Sequence, residues 1–394
     1  MRPSAPARTG GRRRAALVLL AATALLAGCA LTPRFPDTGA GPYRPKPDLG
    51  SEAGPQPETP GDPRQPGPGG PGGEPLGAPK GCVDPDPHVV ATCLEPVSSI
   101  IVLDPEAKVG LATERTTGRV QRVQQDRPNQ QVAALDVDPT GDGGLTGLAL
   151  SPHYAEDELM YAYITTPIDN RVVRLAPQDV PKPVLTGIPR GATGNAGALQ
   201  LDSDGMLVVA TGDAGDPAAA DDPNSLAGKL LRIDPSGRPA AGNPSGSKVL
   251  AGGLHSPGGL CTDPFSGELW VTDRAADRDA LYRVTPGHPI GSPAWSWPNR
   301  PGAAGCVVMQ GRIQVAFTSG APMFALGIGP EGTFVGKPLE IPLEHYGRVA
   351  AAALSPDGRS MWLGTVNKTG GKPISSDERV FILTDPVGSA GGQD

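Results

Sequence analysis

The sequence feature that most constrains the fold is a strand–turn–strand unit that recurs along most of the chain. Clear copies begin at Ile100, Leu148, Ala198, Gly259 and Ala352. Each copy contains an apolar run, a tight turn built from Asp or Ser with Pro and Gly, and a second apolar run. Because Pro presets φ in such a turn and Gly supplies a positive φ, the two runs are expected to be antiparallel neighbours.

The spacing of these units predicts how the strands are assembled. A third apolar run follows some copies, as in Asn170–Leu175 and Lys229–Asp234. A period of roughly 48 residues is typical of propeller blades with four antiparallel strands. The sequence therefore predicts an all-β fold, a six-bladed β-propeller of four-stranded antiparallel blades. A β-sandwich, or two separate β domains, is the alternative.

Three smaller expectations accompany the predicted propeller. The least regular blade is expected in residues 306–342. Glu378–Leu383 is expected to pair with the N-terminal strand and to close the ring. One short helix is expected between Asp213 and Ala227.

The first 28 residues have the three zones of a lipoprotein signal peptide. A basic head ends at Arg14, an uncharged apolar run covers Ala15–Leu26, and Leu26-Ala27-Gly28-Cys29 follows. The run is shorter than the about 20 residues that a membrane-spanning helix needs. The ending resembles the bacterial lipobox, so we expect export and lipidation, with palmitate among the acyl chains, at Cys29. An ordinary cleaved signal peptide is the alternative.

The segment after Cys29 is predicted to be a spacer. Residues 33–81 contain 14 Pro and 12 Gly in 49 positions, which leaves too few apolar side chains for a core. We therefore expect a lipidated, disordered Pro/Gly-rich tether over 29–81 and the propeller over 82–390. Two or more acyl chains would hold such a chain stably on the outer face of the cell membrane. A Pro-rich ligand for a partner is the alternative role of the tether.

Charge and cysteine content limit the partners and the redox setting. The net charge is −7 without a basic stripe, which argues against a nucleic-acid partner. Four cysteines remain beside Cys29, and an even number in an exported chain indicates two disulfides. Three pairings are formally open, and proximity favours Cys82 with Cys93 and Cys261 with Cys306.

Several segments resemble the soluble glucose/sorbosone dehydrogenases, which are six-bladed propellers that use pyrroloquinoline quinone (PQQ) and calcium. The resemblance covers roughly residues 97–385, and its most specific part is Thr211–Pro217 followed by Asn224–Arg232. Together with the lipobox and the tether, it extends to LppZ-type lipoproteins of the mycobacterial and actinobacterial cell envelope. The resemblance implies a hydride-transfer site in the mouth of the propeller.

The chain departs from the family pattern at the general base. The resemblance implies a His where this chain has Gly194, which has no side chain to accept a proton. His255 is the candidate substitute, in a position where the family has an arginine. Asp213 is retained, and in the family it orients the missing His. The alternative roles are a hydrogen-bonding loop residue for His255 and a turn cap for Asp213.

The chain also departs from the family at the cofactor positions. Ala198 and Ala350 replace cationic residues, and Asp142 replaces a glutamine. Arg348 and Asn195 are the remaining candidates for cofactor binding. Because PQQ carries three carboxylates, these losses predict uncompensated charge and poor binding.

One acidic loop is a candidate metal site. Asp216, Asp221 and Asp222 lie close together in the sequence, without the regular ligand spacing of a calcium loop. A solvated loop is the alternative.

Together these observations favour an anchored cell-envelope lipoprotein whose degenerate propeller acts as a binding or scaffold module rather than as an enzyme. Its partner would be an envelope protein, a glycan or a lipid. The alternative is a PQQ-dependent oxidoreductase with a rearranged active site, acting on a sugar or alcohol and binding PQQ and calcium.

Overall fold

The computed structural model describes residues 78–177 and 179–384. The signal peptide, Cys29 and almost all of the predicted tether lie outside the described residues, so the predicted domain boundaries stay predictions. No helix within the described ranges is long and apolar enough to cross a membrane.

The described residues form six four-stranded antiparallel sheets, which confirms the predicted propeller. Strand β1 (Val89–Ala91) precedes the first blade, which contains β2 (Val97–Val102), β3 (Val109–Glu114), β4 (Arg119–Gln124) and β5 (Gln130–Ala134). The second blade contains β6 (Leu145–Leu150), β7 (Met160–Thr165), β8 (Asn170–Leu175) and β9 (Lys182–Ile188). The third contains β10 (Gly197–Leu201), β11 (Leu207–Thr211), β12 (Lys229–Ile233) and β13 (Val249–Gly252).

The remaining blades follow the same pattern. The fourth contains β14 (Pro257–Thr262), β15 (Leu269–Arg274), β16 (Asp279–Arg283) and β17 (Trp295–Trp297). The fifth contains β18 (Ala303–Met309), β19 (Arg312–Phe317), β20 (Met323–Ile328) and β21 (Phe334–Ile341). The sixth contains β22 (Val349–Leu354), β23 (Ser360–Thr365), β24 (Val380–Thr384) and β1.

The ring is closed by the N-terminal strand. β1 pairs antiparallel with β24, and Val89 lies opposite Phe381. This confirms the predicted closing partner. The first and last strands of the described residues therefore share one sheet, so the last blade includes residues from before the first blade.

The first strand of each blade lies next to the axis. Residues from β2, β6, β10, β14, β18 and β22 together line the central cavities. These inner strands begin at the same face of the ring, which we call the mouth. Because the second strand of each blade runs antiparallel to the first, second strands end at the mouth. Connections that precede inner strands and residues that follow second strands therefore meet there.

In the part of the chain that the structure describes, two short α-helices lie in connections between strands. Helix α1 covers Tyr154–Asp157, and α2 covers Pro217–Asp221. The second lies within the range in which a helix was expected. The two remaining helical segments, Pro244–Gly246 and Pro330–Gly332, are single 3₁₀ turns.

The expectation of an irregular blade in residues 306–342 is wrong. Strands β18 to β21 are complete, and β21 has eight residues. The turn between β18 and β19 is formed by Gln310 and Gly311, with φ of 53° and 69°. Two successive positive φ values are those of a hairpin turn whose twist matches its strands. This turn does not use the Pro–Gly motif that marks other blades, so the sequence pattern missed it.

Both predicted disulfides are present, which confirms the pairing. Cys82 is bonded to Cys93, and Cys261 is bonded to Cys306. The second bridge joins inner strands β14 and β18, and therefore connects two consecutive blades. Nearby, Trp297 packs edge-on against Phe317 and lies in the apolar core between the same blades.

Candidate active site

A cavity of about 230 Å³ opens at the mouth of the propeller. Its wall contains three guanidinium groups, those of Arg115, Arg274 and Arg348, from three different blades. The Asp142 carboxylate lies in the same wall. The topology places all four residues at the mouth. Arg115 and Arg274 stand at the ends of second strands, and Asp142 and Arg348 precede inner strands. The cavity thus combines three cations with one anion.

The three arginines differ in how far their own contacts satisfy them. Nη1 of Arg115 donates to the carbonyl oxygen of Gly143 at 2.6 Å. Burial lowers the pKa of Arg115, and the Asp142 carboxylate opposes that effect. Nη2 of Arg274 donates to Ser256 Oγ at 2.9 Å. Nε of Arg348 is buried and has no hydrogen-bond partner in the described chain. Buried cationic donors of this kind favour an anionic ligand.

From the sequence, we expected the PQQ carboxylates to lack cationic partners, but the cavity wall contains more cations than that expectation included. Arg348 lines the cavity as predicted, but Arg115 and Arg274 line it as well. Neither Arg115 nor Arg274 lies in the motifs on which the family resemblance was based. Arg115 directly follows β3 and Arg274 ends β15. Their position at the ends of second strands was the available signal, because those ends meet at the mouth.

His255 and Asp213 form a hydrogen-bonded pair beside this cavity. Nδ1 of His255 lies 3.0 Å from Oδ2 of Asp213. The His255 side chain is 33 % exposed, whereas that of Asp213 is 9 % exposed. The amide of Asp213 also donates to the carbonyl oxygen of His255 at 2.8 Å. A second loop therefore brings an imidazole to the carboxylate that the family uses to orient its base.

Gly194 explains why the imidazole comes from a different loop. Its φ is +72°, and a Cβ built on it would lie 2.5 Å from Oδ1 of Asp213. Its carbonyl oxygen accepts the amide of Ala214 at 2.9 Å, so backbone occupies the space beside Asp213. Oδ1 of Asp213 accepts the amide of Gly215 at 2.8 Å, which confirms its turn-capping role. The other carboxylate oxygen faces His255.

The residue after His255 connects the pair to the cavity wall. Oγ of Ser256 donates to Oδ2 of Asp142 at 3.2 Å, and it accepts from Arg274 as described. The amide of Asn195 donates to Oδ1 of the same Asp142 at 2.9 Å. Asp142 therefore braces two connections that enter inner strands.

Asn195 is not placed to bind a cofactor. Its side chain is fully buried, and its Nδ2 donates to the carbonyl oxygen of Gly191 at 2.9 Å. Its Oδ1 accepts the amide of Gly191 and Nδ2 of Asn170. The Asn195 side-chain amide is therefore engaged by the Gly191 backbone and the Asn170 side chain, and its predicted role in cofactor binding stays a prediction.

The acidic loop does not form the candidate metal site. Asp216 caps α2 by accepting the amide of Ala218, and Asp222 accepts the amide of Asn224. Asp221 is the last residue of α2. Nowhere in 78–177 or 179–384 do three or more His, Cys, Asp or Glu side chains meet as metal ligands. Within the described residues, the three carboxylates of Asp216, Asp221 and Asp222 therefore do not converge on one point, and the calcium site stays a prediction.

A second, larger cavity lies further along the axis. It measures about 430 Å³ and is lined by the middle and far ends of the inner strands. None of the predicted catalytic, cofactor or metal residues lines it. Ser98, Thr146, Gly258 and Ala350 line both cavities, so the two meet at small residues. Of those predicted residues, Arg348 lines the smaller cavity, and His255 is two residues from Pro257 in its wall.

Comparison with known proteins gives this fold and mouth a family. The glucose/sorbosone dehydrogenase family model matches residues 96–358. The chain belongs to this family. An aldose sugar dehydrogenase of Streptomyces coelicolor, solved in its PQQ-bound form, is 29 % identical, with a TM-score of 0.70 over 75 % of this chain and 96 % of that one. A putative glucose dehydrogenase of Thermus thermophilus is 30 % identical, with a TM-score of 0.68 over 75 % and 98 %.

A curated relative matches a shorter stretch. The aldose sugar dehydrogenase of Escherichia coli is 27 % identical over 41 % of this chain. The match spans about half of that enzyme, 49 % of its length. The narrower resemblance to LppZ-type lipoproteins is not tested by these similarities and stays a prediction.

The family implies PQQ, and the residues present fit a group with several carboxylates. The partnerless, buried Nε of Arg348 is the observation that decides this fit. Arg115 and Arg274 supply two further guanidinium groups in the same wall. Arginine pairs with carboxylates through charge-assisted, often bidentate hydrogen bonds. Three cations against one resident carboxylate leave the wall with positive charge for such a ligand.

Proposed function

We propose that this protein oxidises a hydroxyl group of a sugar or polyol at the outer face of the cell membrane, with His255 as the general base. The observation that carries the proposal is the 3.0 Å contact between His255 Nδ1 and Asp213 Oδ2. It supplies a proton acceptor where Gly194 cannot. Membership of a family of sugar dehydrogenases supports the same reaction class.

The pair has the geometry that general-base catalysis requires. When Nδ1–H donates to Asp213, the lone pair of the imidazole is on Nε2, which can accept a proton from a substrate hydroxyl. The Asp213 carboxylate stabilises the imidazolium that forms. Oxidation removes this proton from the hydroxyl oxygen and a hydride from the carbon that carries the hydroxyl group, and it leaves a carbonyl group. PQQ, when bound, supplies the two-electron acceptor for the hydride.

The cavity arginines would hold the carboxylates of the acceptor. Arg348 has an unused buried donor, and Arg274 is linked through Ser256 to the loop that carries His255. The same loop therefore adjoins both the base and a cofactor cation. This coupling would keep the substrate hydroxyl and the acceptor in a defined relation.

We further propose that the chain is a lipoprotein anchored through Cys29. The support is the lipobox and the Pro/Gly-rich segment that follows it. Changing Cys29→Ser should move the protein from the membrane fraction to the medium and abolish labelling by radioactive palmitate. Membrane retention without palmitate labelling would contradict the lipid anchor.

A binding or scaffold module is the second candidate. Asp142 places a carboxylate among the cavity arginines, where it repels an anionic cofactor. The family base position is a glycine and two family cations are alanines. In this case the mouth would bind an envelope protein, a glycan or a lipid, and no oxidation would occur.

One experiment separates the two candidates. The full-length chain, purified in detergent, is titrated with PQQ and then assayed for aldose-dependent dye reduction. The catalytic proposal predicts saturable binding and turnover that falls by about 10²–10⁴-fold in His255→Gln. His88→Gln is the matched control, because His88 also contacts an Asp, at 2.9 Å, but directly precedes β1, the outermost strand of the last blade.

The outcomes are distinct. Turnover that survives His255→Gln would remove this residue from the mechanism. Absence of both PQQ binding and dye reduction would overturn the catalytic proposal. Recovery of one defined envelope component with the lipidated protein would then support the binding module.

A further inference from the structure

The backbone that carries His255 is held by a fully buried carboxylate on the next strand. Asp273, in β15, is inaccessible to solvent. Its Oδ1 accepts the amide of Ser256 at 2.7 Å, and the amide of His255 is shared between Oδ1 at 3.1 Å and Oδ2 at 3.0 Å. Burial raises the pKa of Asp273, while these amide hydrogen bonds lower it. One side chain thus fixes two consecutive peptide groups.

The same dipeptide is held on its other side. The His255 carbonyl oxygen accepts the amide of Asp213. The carbonyl oxygen of Gly228 accepts the amides of Gly253 and Leu254, both at 3.0 Å. With its amide on Asp273 and its carbonyl oxygen on the amide of Asp213, the His255 backbone is held from both sides. These contacts hold it beside the Asp213 carboxylate that its imidazole contacts.

Arg274, the neighbour of Asp273, contacts the same segment. Its amide donates to the carbonyl oxygen of Ser256 at 3.2 Å, and its Nη2 donates to Ser256 Oγ. The Asp273–Arg274 dipeptide is therefore hydrogen-bonded to the His255–Ser256 dipeptide through both backbone and side-chain groups. Arg274 also lines the mouth cavity.

We infer that Asp273 is a positioning residue, which sets the His255 imidazole against Asp213 and keeps it in register with the cavity cation Arg274. Its catalytic consequence rests on the proposed function. Its geometric consequence does not, because the His255–Asp213 contact is observable without turnover. Residues that orient functional groups in this way typically affect activity by about 10–100-fold.

The chain contains a matched control for this role. Asp279 is also buried and accepts two consecutive amides, those of Gly302 and Ala303, both at Oδ2. These amides also lie at the entry to an inner strand, β18. Asp279 therefore performs the same clamping at the next blade connection, away from His255.

The test compares Asp273→Asn with Asp279→Asn. In Asp273→Asn, an NH₂ group replaces Oδ2 and opposes the His255 N–H, so that Oδ1 alone must accept both amides. We expect the low-field Nδ1–H proton signal of His255, assigned in ¹⁵N-histidine-labelled protein by its loss in His255→Gln, to disappear. We also expect kcat to fall by about 10–100-fold. Asp279→Asn should keep the His255 signal and change kcat by less than about twofold.

The result that would overturn the inference is an unchanged His255 signal in Asp273→Asn. If the full-length protein shows no turnover at all, the proposed function fails but the signal still decides the role of Asp273. Should Asp273→Asn not fold, hydrogen exchange on the wild-type protein decides. The amides of His255 and Ser256 must then be as protected as those of Gly302 and Ala303, and rapid exchange would refute the clamp.

Discussion

Two seams of the ring contain similar polar residues and use them differently. The dyad seam, between the third and fourth blades, contains Asp213, His255 and Asp273. The closure seam, where the last blade meets the N-terminal segment, contains Asp84, Asp377 and Arg379. At the closure seam every nitrogen of the Arg379 guanidinium donates to a protein oxygen of Asp84, Asp377 or the 345–346 backbone. At the dyad seam, the imidazole uses Nδ1 and keeps Nε2 for other partners.

The difference lies in whether the polar network is complete. Arg379 also lies over the ring of Tyr346, 5.5 Å from its centroid, and its side chain is only 5 % exposed. A complete buried network specifies structure. A network with an unused nitrogen near a positively charged cavity can bind and exchange a proton. Similar residue types therefore indicate function only when some of their capacity is left open.

The largest predicted effect breaks the closure seam. Arg379→Met leaves two buried carboxylates without their cation, which should reduce the free energy of unfolding by about 3–5 kcal/mol. Guanidinium denaturation followed by tryptophan fluorescence measures this change. PQQ binding below the transition should be unaffected, because the cavity does not contain Arg379.

A surface ion pair provides the control for that variant. Arg278 contacts Asp277, and their side chains are 45 % and 62 % exposed. Arg278→Met should change the free energy of unfolding by less than about 1 kcal/mol. Equal effects of the two variants would mean that the closure seam is no more important than an exposed pair.

A smaller effect is expected at the dyad seam from Gly194→Ala. A non-glycine residue at positive φ costs roughly 1–2 kcal/mol, and the added Cβ must also displace Asp213 or its turn. We expect the free energy of unfolding to fall by about 2 kcal/mol or more and the His255 Nδ1–H signal to weaken. Gly187→Ala is the control, since its φ is +76° with no atom within 4 Å of the Cβ. If both variants lose the same free energy of unfolding, the cost at Gly194 comes from its positive φ alone and not from contact with Asp213.

The smallest effect concerns a polar group at neither seam. Gln314, in β19, is inaccessible, and neither its Oε1 nor its Nε2 has a hydrogen-bond partner in the described chain. Gln314→Met should therefore raise the free energy of unfolding by about 1 kcal/mol. Gln121→Met should lower it, because Gln121 Nε2 donates to Glu114 at 3.3 Å. A destabilised Gln314→Met would show that the amide is satisfied in solution.

The fold was predictable because propeller blades repeat a local pattern. Strand β8 matches its predicted range, and the closing partner of β1 followed from the need to pair the last strand. The turn at Gln310–Gly311 was missed because positive φ at two residues is a backbone property without a fixed sequence. Local motifs therefore identified the architecture and failed where a hairpin used a different turn.

The site was less predictable because its partners come from distant connections. His255 and Asp213 are 42 residues apart, and the sequence offered no means of measuring their contact. Arg115 and Arg274 belong to different blades, so their shared cavity exists only in the closed ring. Asn195 had the right residue type, but backbone groups in its own loop use its amide. Substitutions in a family motif thus show what was lost and not what replaced it.

The bridge between Cys82 and Cys93 has a mechanical consequence. The bonded residues are 11 positions apart and enclose the whole of β1. A pull on the chain before Cys82 therefore reaches Cys93 through the covalent bridge and continues into the first blade. β1, which closes the ring, lies within the segment that the disulfide bypasses and therefore does not carry this force. A propeller held by its N-terminal side can thus bear tension without the peeling of the strand that keeps its ring shut.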